Sequence, residues 1–145
     1  MAISVLLVDD EEAFVQTLAK RLTLRRFNVY TASRAERVFS TLEENLIDVV
    51  VLDVKMPDLD GIEATQVIKT DYPLMEIILL TGHASLEASL EGMRRGAFDY
   101  LLKPVNIDEL VYKIEDAHQK KNLQEEKFKQ LEDRTEAADE AESDN

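Results

Sequence analysis

The chain has 145 residues, a length typical of one domain with a short appendage. Hydrophobic residues make up 45% of it, enough to form a core, and the formal net charge is −13. So acidic a surface repels nucleic acid and anionic membranes, which argues against direct DNA binding. The absence of cysteine excludes disulfides and thiolate metal sites.

The N-terminal segment is apolar from Ile3 to Val8, but no basic residue precedes it and four acidic residues follow it. A secretory signal peptide has a different order, with a basic region before its apolar stretch. No apolar stretch approaches the ~20 residues that a membrane-spanning helix requires. We therefore expect a cytoplasmic protein that does not contact a membrane.

Five short apolar runs predict the strands of a sheet. The first, third and fourth are almost uninterrupted Val, Ile and Leu, which is typical of strands buried on both faces of a parallel sheet. In chain order the runs are Ile3–Val8, Val29–Ala32, Val49–Leu52, Ile77–Leu80 and Tyr100–Leu102.

Segments with helical spacing lie between these runs. Apolar and small residues recur three or four positions apart in the first three, at Phe14, Leu18 and Leu22, at Val38, Leu42 and Leu46, and at Ile62, Thr65 and Ile68. A fourth helix is predicted over Ala84–Arg95, with Gly96 at its C-terminal end, and a fifth from near Ile107, capped by Asn106 or Asp108. The alternation predicts an α/β fold, a single (βα)5 doubly wound parallel sheet of strand order 2-1-3-4-5, as in flavodoxin-like proteins.

The composition changes after about Ala117. Residues 120–134 are highly charged but favour helix, so we expect the fifth helix to extend outward over 121–134. Heptad-like steps of four and three residues join Leu110, Ile114, Ala117, Lys121, Gln124, Phe128 and Leu131. The extension can serve as a coiled coil or as a solvated linker. The globular domain is predicted over 1–120, and the acidic tail over 135–145 is expected to be disordered.

Polar side chains follow four of the five predicted strands at their carboxyl ends. Asp9 and Asp10 follow the first strand, Asp53 the third, Thr81 the fourth and Lys103 the fifth. Open α/β sheets bind ligands at this edge, beside the reversal in strand order. We therefore expect the three carboxylates to converge, with Thr81 and Lys103 next to them.

This combination of side chains suggests phosphoryl chemistry. Three carboxylates in one cleft repel each other unless a cation is bound, and a few oxygen ligands with room for water favour Mg²⁺. With the metal bound, Asp53 can act as a nucleophile and accept a phosphoryl group. Lys103 can supply a positive charge to a phosphoryl oxygen, and the Thr81 hydroxyl can donate a hydrogen bond.

The same residues carry a resemblance to a known family. The set Asp9, Asp10, Asp53, Thr81 and Lys103 resembles the signature of response-regulator receiver domains in bacterial two-component signalling. The stretches VLDVKMPDLDG, from position 51 to 61, and TGHA, from 81 to 84, are similar to the exits of the family's third and fourth strands. The resemblance covers roughly residues 3–117, with the motifs in the family's order and spacing.

The resemblance implies a metal and phosphoryl site. It makes Asp53 the phosphoacceptor and a Mg²⁺ ligand, Asp10 a direct ligand and Asp9 a ligand mainly through water. The backbone carbonyl of Lys55 is implied as a further ligand, so that its side chain matters little for binding. The chain is then not an enzyme, beyond Mg²⁺-dependent self-phosphorylation and autodephosphorylation.

The resemblance also implies a conformational switch. Thr81 is the hydroxyl that moves towards the phosphoryl group, and Tyr100 is the aromatic side chain that follows it inward. Lys103 pairs with the phosphoryl group, and the peptide bond before Pro104 is cis. The implied donor is a sensor histidine kinase or a histidine phosphotransfer protein. The response is a change in the face of helix four, strand five and helix five, which controls a partner or a homodimer; the extended helix is an alternative dimer contact.

Three other functions compete with this interpretation. A phosphatase of the haloacid-dehalogenase type needs a second Asp two residues after its nucleophile, where Lys55 stands here. A flavodoxin-like FMN binder needs a hydroxyl- or glycine-rich loop after the first strand, where this chain has four acids. A binding module that is never phosphorylated is the third, and the intact set of site residues argues against it. Taken singly, Asp9 and Asp10 can be read as strand-end residues that cap the first helix, and Asp53 as a cap at the exit of a strand.

Overall fold

A computed structural model of the chain describes residues 2–143, without the side chains of His83 and of residues 141–143. Five parallel strands form the main sheet: β1 (Ser4–Val8), β2 (Asn28–Ala32), β3 (Val49–Asp53), β6 (Glu76–Thr81) and β7 (Asp99–Leu102). Two more strands, β4 (Lys55–Met56) and β5 (Leu59–Asp60), pair in an antiparallel hairpin. The helices are α1 (Glu12–Leu24), α2 (Ala35–Glu44), α3 (Gly61–Asp71), α4 (Leu86–Arg94) and α5 (Ile107–Ser143).

The order of the main sheet is β2-β1-β3-β6-β7. Since β6 and β7 are its fourth and fifth strands along the chain, the predicted (βα)5 fold and the order 2-1-3-4-5 are confirmed. Alternating residues of each central strand point to opposite faces, which builds one apolar layer on each side of the sheet. Helices α1 and α5 pack on the face formed by Val5, Leu7, Val49, Val51, Ile78 and Leu80, all at most 2% exposed. Helices α2, α3 and α4 cover the other face.

Local sequence signals predicted the caps of α4 and α5 correctly but not the end of α2. Asn106 accepts a hydrogen bond from the backbone of Glu109 at 3.1 Å, and Gly96 follows α4 with a φ of 115°. Both fit the predicted caps. The prediction that Leu46 continues the buried stripe of α2 is wrong, because α2 ends at Glu44 and Leu46 is 94% exposed.

The far edge of the sheet, opposite the carboxyl ends, holds a buried acid. Glu76 at the start of β6 is fully buried, and within the described part of the chain neither of its carboxylate oxygens has a hydrogen bond. Its charge is balanced at longer range by Lys69 at 3.8 Å and Lys120 at 3.5 Å. Lys120 belongs to α5, so this ion pair ties the helix to the sheet near the point where it leaves the domain.

Helix α5 is 37 residues long and continues well beyond the sheet. Residues 125–140 are all exposed. The structure is helical through Ser143 where the sequence analysis expects disorder from 135, because Ala and Glu, which favour helix, dominate that segment. Residues 144 and 145, the end of the predicted tail, lie outside the described part. Among residues 2–143, no helix is both long enough and apolar enough to cross a membrane.

Candidate functional site

The strand register brings the predicted site residues to one edge of the sheet. Val8 pairs with Leu52 between β1 and β3, so that Asp9 and Asp53 follow at the same level. Asp53 pairs in turn with Leu80 of β6, the residue before Thr81. Parallel pairing thereby aligns the carboxyl ends of the central strands.

The three acids converge as the sequence analysis expects. One carboxylate oxygen from each of Asp9, Asp10 and Asp53 lies within 4.8 Å of the other two. Asp9 and Asp53 are 1% and 8% exposed, whereas Asp10 faces solvent. A set of hard oxygen ligands that is open on one side fits an octahedral Mg²⁺ that keeps part of its water.

Lys103 supplies the positive charge of this cluster. Its Nζ donates a hydrogen bond to Oδ2 of Asp9 at 2.8 Å and lies 3.6 Å from Oδ2 of Asp53. The ammonium group also stands 4.8 Å from the centre of the Phe14 ring, within the range of a cation–π contact. The peptide bond between Lys103 and Pro104 is cis, as the resemblance implies.

A backbone amide donates a hydrogen bond to the other carboxylate oxygen, Oδ1, of each of the two buried acids. The amide of Glu11 donates to Oδ1 of Asp9 at 3.0 Å, and the amide of Lys55 donates to Oδ1 of Asp53 at 3.3 Å. Each carboxylate is thus fixed between a backbone N–H and Lys103. These bonds differ from helix capping: α3 is capped by Asp60, whose Oδ1 accepts from the amides of residues 62 and 63.

The electrostatics of the site oppose ionisation of Asp53. Burial, with the negative charge of Asp9, raises the pKa of Asp53 from 3.8 to about 6, although Lys103 and the Lys55 amide lower it. Burial lowers the pKa of Lys103, but its hydrogen bond to Asp9 and the charge of Asp53 more than offset this and raise it above the usual value. A bound cation would relieve the repulsion among the acids.

The two predicted switch residues stand beside the acids. Thr81 is 1% exposed, and its hydroxyl donates to the carbonyl of Gly82 at 3.1 Å rather than to Asp53. Its backbone carbonyl accepts from the amide of Lys103 at 2.8 Å, which links β6 to the end of β7. Tyr100 is half-buried and packs on the side of the sheet that carries α4.

Two residues of the site have contacts that the sequence analysis missed. Phe14 was assigned only to the inner stripe of α1, but its place in the first turn after Asp9 and Asp10 puts its ring against Lys103. Gly61 is the first residue of α3. A Cβ there would lie 2.7 Å from the backbone oxygen of Asp53 and from Cα of Val54. The glycine therefore lets the start of α3 approach the backbone of the acid.

Comparison with known proteins agrees with this geometry. A sequence model described as the response regulator receiver domain matches residues 5–115 of the chain. This range contains every residue of the site described above and ends within α5, before the exposed extension.

Relatives named as response regulators or transcriptional regulators cover the same region. A putative NtrX-like response regulator of Rickettsia conorii is 36% identical over 111 residues, which is 75% of this chain and 23% of the relative. A DNA-binding transcriptional regulator NtrC of Proteus hauseri is 35% identical over 114 residues, 79% of this chain and 24% of the relative. The chain thus spans about a quarter of the length of the curated relatives it matches.

Solved structures support the same assignment. A receiver domain protein of Clostridium thermocellum superposes with a TM-score of 0.79 at 38% identity, covering 83% of this chain and 98% of the other. The beryllofluoride-activated NtrC4 receiver domain dimer has a TM-score of 0.76 at 31% identity, with 81% of this chain and 98% of the other covered. From its fold, its acidic site and these relatives, the chain belongs to the response-regulator receiver domains of two-component systems.

Proposed function

We propose that the chain stores a signal as a phosphoryl group on Asp53. One observation carries the proposal: the buried carboxylate of Asp53 lies next to a cation, with the Lys103 ammonium 3.6 Å away. The negative charges of Asp9 and Asp10 lie beside the same carboxylate. An acid placed in this way can attack phosphorus while the Lys103 ammonium balances part of the negative charge of the incoming group.

Asp9, Asp10 and Asp53, with the backbone carbonyl of Lys55, would hold Mg²⁺ in this site. The bound ion neutralises carboxylate and phosphate oxygens, so that an anionic donor can approach three acids. The hydrogen bonds from the Glu11 and Lys55 amides support this role, because they fix the orientation of the two buried carboxylates in the cleft.

The transfer itself requires few changes in the protein. An oxygen of Asp53 attacks the phosphorus of a phosphohistidine, and the bond from phosphorus to the donor nitrogen breaks. That nitrogen keeps the electron pair and takes up a proton. Lys103, which now lies between Asp9 and Asp53, is already placed to pair with the new phosphoryl oxygens.

The phosphoryl group would then act through Thr81 and Tyr100. The Thr81 hydroxyl donates to the Gly82 carbonyl in the present state, and a phosphoryl oxygen would offer it a stronger, charge-assisted acceptor. Movement of Thr81 opens space into which Tyr100 turns. The result is a shift of population between two packings of the face formed by α4, β7 and α5.

The expected donor is a sensor histidine kinase or a histidine phosphotransfer protein in the cytoplasm, and the receiver domain is proposed to span residues 1–120. The altered face controls a partner protein or a homodimer, in line with a structural relative described as an activated receiver domain dimer. With a net charge of −13, this chain is not expected to bind nucleic acid itself.

The proposal is tested by intact-mass analysis after incubation with acetyl phosphate. With Mg²⁺ the wild-type chain should gain about 80 Da, the mass of one phosphoryl group, and the gain should disappear with EDTA. Asp53→Asn should abolish the gain. Asp71→Asn, which neutralises an exposed carboxylate at the end of α3, is the matched control and should retain it.

Other outcomes of this experiment favour the competing functions. No gain with any donor would favour a binding module that is never phosphorylated. Rapid and repeated hydrolysis of added phosphate esters would favour a phosphatase.

A further inference from the structure

Helix α2 receives its cap from a distant part of the chain. Arg34, the residue before α2, has the extended backbone of a cap position, with φ −143° and ψ 153°, but its side chain makes no capping hydrogen bond. An arginine side chain has only donors, so it cannot satisfy the free amides of a first helical turn. Instead, Oδ2 of Asp58 accepts from the amide of Ala35, the first residue of α2, at 3.0 Å.

Asp58 lies in the turn of the β4–β5 hairpin, next to the acidic site. The strands Lys55–Met56 and Leu59–Asp60 pair with each other, and positions 57 and 58 form the turn between them. Each strand has only two residues, and a hairpin of this length is not stable on its own. The bond from the Ala35 amide to Asp58 therefore joins the turn of the hairpin to the rest of the domain.

The base of the same hairpin contacts the carboxylate of Asp53. The first residue of the hairpin, Lys55, donates its amide to Oδ1 of Asp53 at 3.3 Å. This distance is longer than the usual ~2.7–3.2 Å for such a bond, so a small outward movement of the hairpin would break it. The last residue, Asp60, is fixed separately, because it caps α3 through the amide of Ile62 at 2.8 Å. The orientation of the Asp53 carboxylate thus depends on how firmly the rest of the hairpin is held.

We propose that Asp58 is a positioning residue of the acidic site. By accepting from the first amide of α2 it holds the β4–β5 hairpin in place, and it thereby keeps the Lys55 amide on Asp53. The inference rests on the proposed function, because Asp53 is the carboxylate that binds Mg²⁺ and accepts the phosphoryl group there. Asp58 is itself exposed and is not one of the three converging acids, so it acts on the site through the hairpin.

Two substitutions of Asp58 separate its position from its charge. Asp58→Asn keeps an oxygen that can accept from the Ala35 amide, whereas Asp58→Ala removes it, and both remove the same negative charge. Groups that orient a metal ligand change metal affinity about tenfold or more, and Asp58 acts one bond further away. In calorimetry with Mg²⁺ alone, Asp58→Ala should weaken binding about fivefold and Asp58→Asn less than about twofold. Equal losses in the two variants would overturn the proposal, because the charge would then be the cause.

A new local cap for α2 separates positioning from stability. Loss of the cap in Asp58→Ala should raise the unfolding equilibrium constant in urea about fivefold. Adding Arg34→Ser places a hydroxyl at a position that already has cap geometry, which should recover most of this loss at the net charge of the wild type. Compared with Arg34→Ser alone, the double variant should still bind Mg²⁺ about fivefold more weakly, because the hairpin stays unattached. Full recovery of Mg²⁺ affinity would show that Asp58 only stabilises α2, and the proposal would fail.

Hydrogen exchange in EDTA tests the role of Asp58 without metal. Exchange of the Lys55 amide, followed by NMR, should be about tenfold faster in Asp58→Ala than in the wild type, nearly unchanged in Asp58→Asn, and still fast in the double variant. Equal exchange in the wild type and Asp58→Ala would refute the proposal. A wild-type chain that neither binds Mg²⁺ nor gains a phosphoryl group would contradict the proposed function instead, and the exchange rates would still decide the role of Asp58.

Discussion

Replacing Asp53 with asparagine is expected to stabilise the metal-free protein at neutral pH. The folded state raises the pKa of this carboxyl from 3.8 to about 6, chiefly through burial and the nearby charge of Asp9. Its ionised form is therefore a cost to folding whenever no cation is bound. Asparagine keeps the size of the side chain and its acceptor for the Lys55 amide but carries no charge.

The magnitude follows from the pKa shift. Each pKa unit corresponds to about 1.4 kcal/mol, so the rise from 3.8 to about 6 sets an upper bound of about 3 kcal/mol. The site is exposed to solvent on the side of Asp10, and the Asp53 side chain itself is 11% exposed. Screening therefore reduces the expected gain to about 1–2 kcal/mol.

The sign of the pH dependence is fixed by the direction of the shift. Below pH 3.8 the carboxyl is protonated in both the folded and the unfolded state, and the variant and wild type should not differ on its account. As the pH rises from 3.8 to about 6, the unfolded state loses the proton first, and the wild type loses stability relative to the variant. Above that window the full difference should persist.

Urea unfolding in EDTA, at acidic and neutral pH, measures this difference. Addition of Mg²⁺ should then stabilise the wild type more than Asp53→Asn, which reduces or reverses the gap. A variant no more stable than the wild type at neutral pH without metal would refute the electrostatic reasoning.

Three further substitutions probe the contacts around the site and the opposite edge of the sheet. Lys103→Met should raise the pKa of Asp53 further and lower the free energy of unfolding by about 2 kcal/mol, because two buried acids lose their counter-charge; an NMR titration that leaves this pKa unchanged would contradict it. Gly61→Ala should cost about 1–3 kcal/mol and weaken Mg²⁺ binding by calorimetry, since its Cβ would meet the backbone of Asp53 at 2.7 Å; unchanged Mg²⁺ affinity would show that the backbone can yield without moving the acid. Glu76→Gln should cost about 2 kcal/mol in urea unfolding, because Lys69 loses its buried partner; Glu91→Gln, at an exposed ion pair, is the control, and equal effects of the two would argue against it.

The fold and the placement of the site could be predicted because both follow from the sheet. The run from Val49 to Leu52 is apolar on every residue, and only a strand covered on both faces buries all of them. Once the strands are parallel and ordered 2-1-3-4-5, the acids after the first and third strands must be neighbours. The geometry of Asp9, Asp10 and Asp53 therefore needed no long-range information beyond the order of the strands.

The features that could not be predicted depend on packing between distant segments. The strands Lys55–Met56 and Leu59–Asp60 are too short to produce an alternating pattern. Glu76 lies next to an apolar run, and the sequence pattern alone predicts a strand end that faces solvent. In the structure its side chain is buried, because Lys69 and Lys120 from two helices balance its charge. The orientation of the Thr81 hydroxyl towards Gly82 is a rotamer choice that no sequence pattern encodes.

Locating the phosphoryl group within the chain is the most direct test of the proposed function. The wild-type protein is labelled with acetyl phosphate and Mg²⁺ and then digested, and the modified residue is identified by tandem mass spectrometry. We expect the group on Asp53 alone, because Lys103 holds Oδ2 of the other buried acid of the site, Asp9, in a hydrogen bond of 2.8 Å but lies 3.6 Å from Oδ2 of Asp53. A phosphoryl group on His83, on His118 or on another acid would contradict the account.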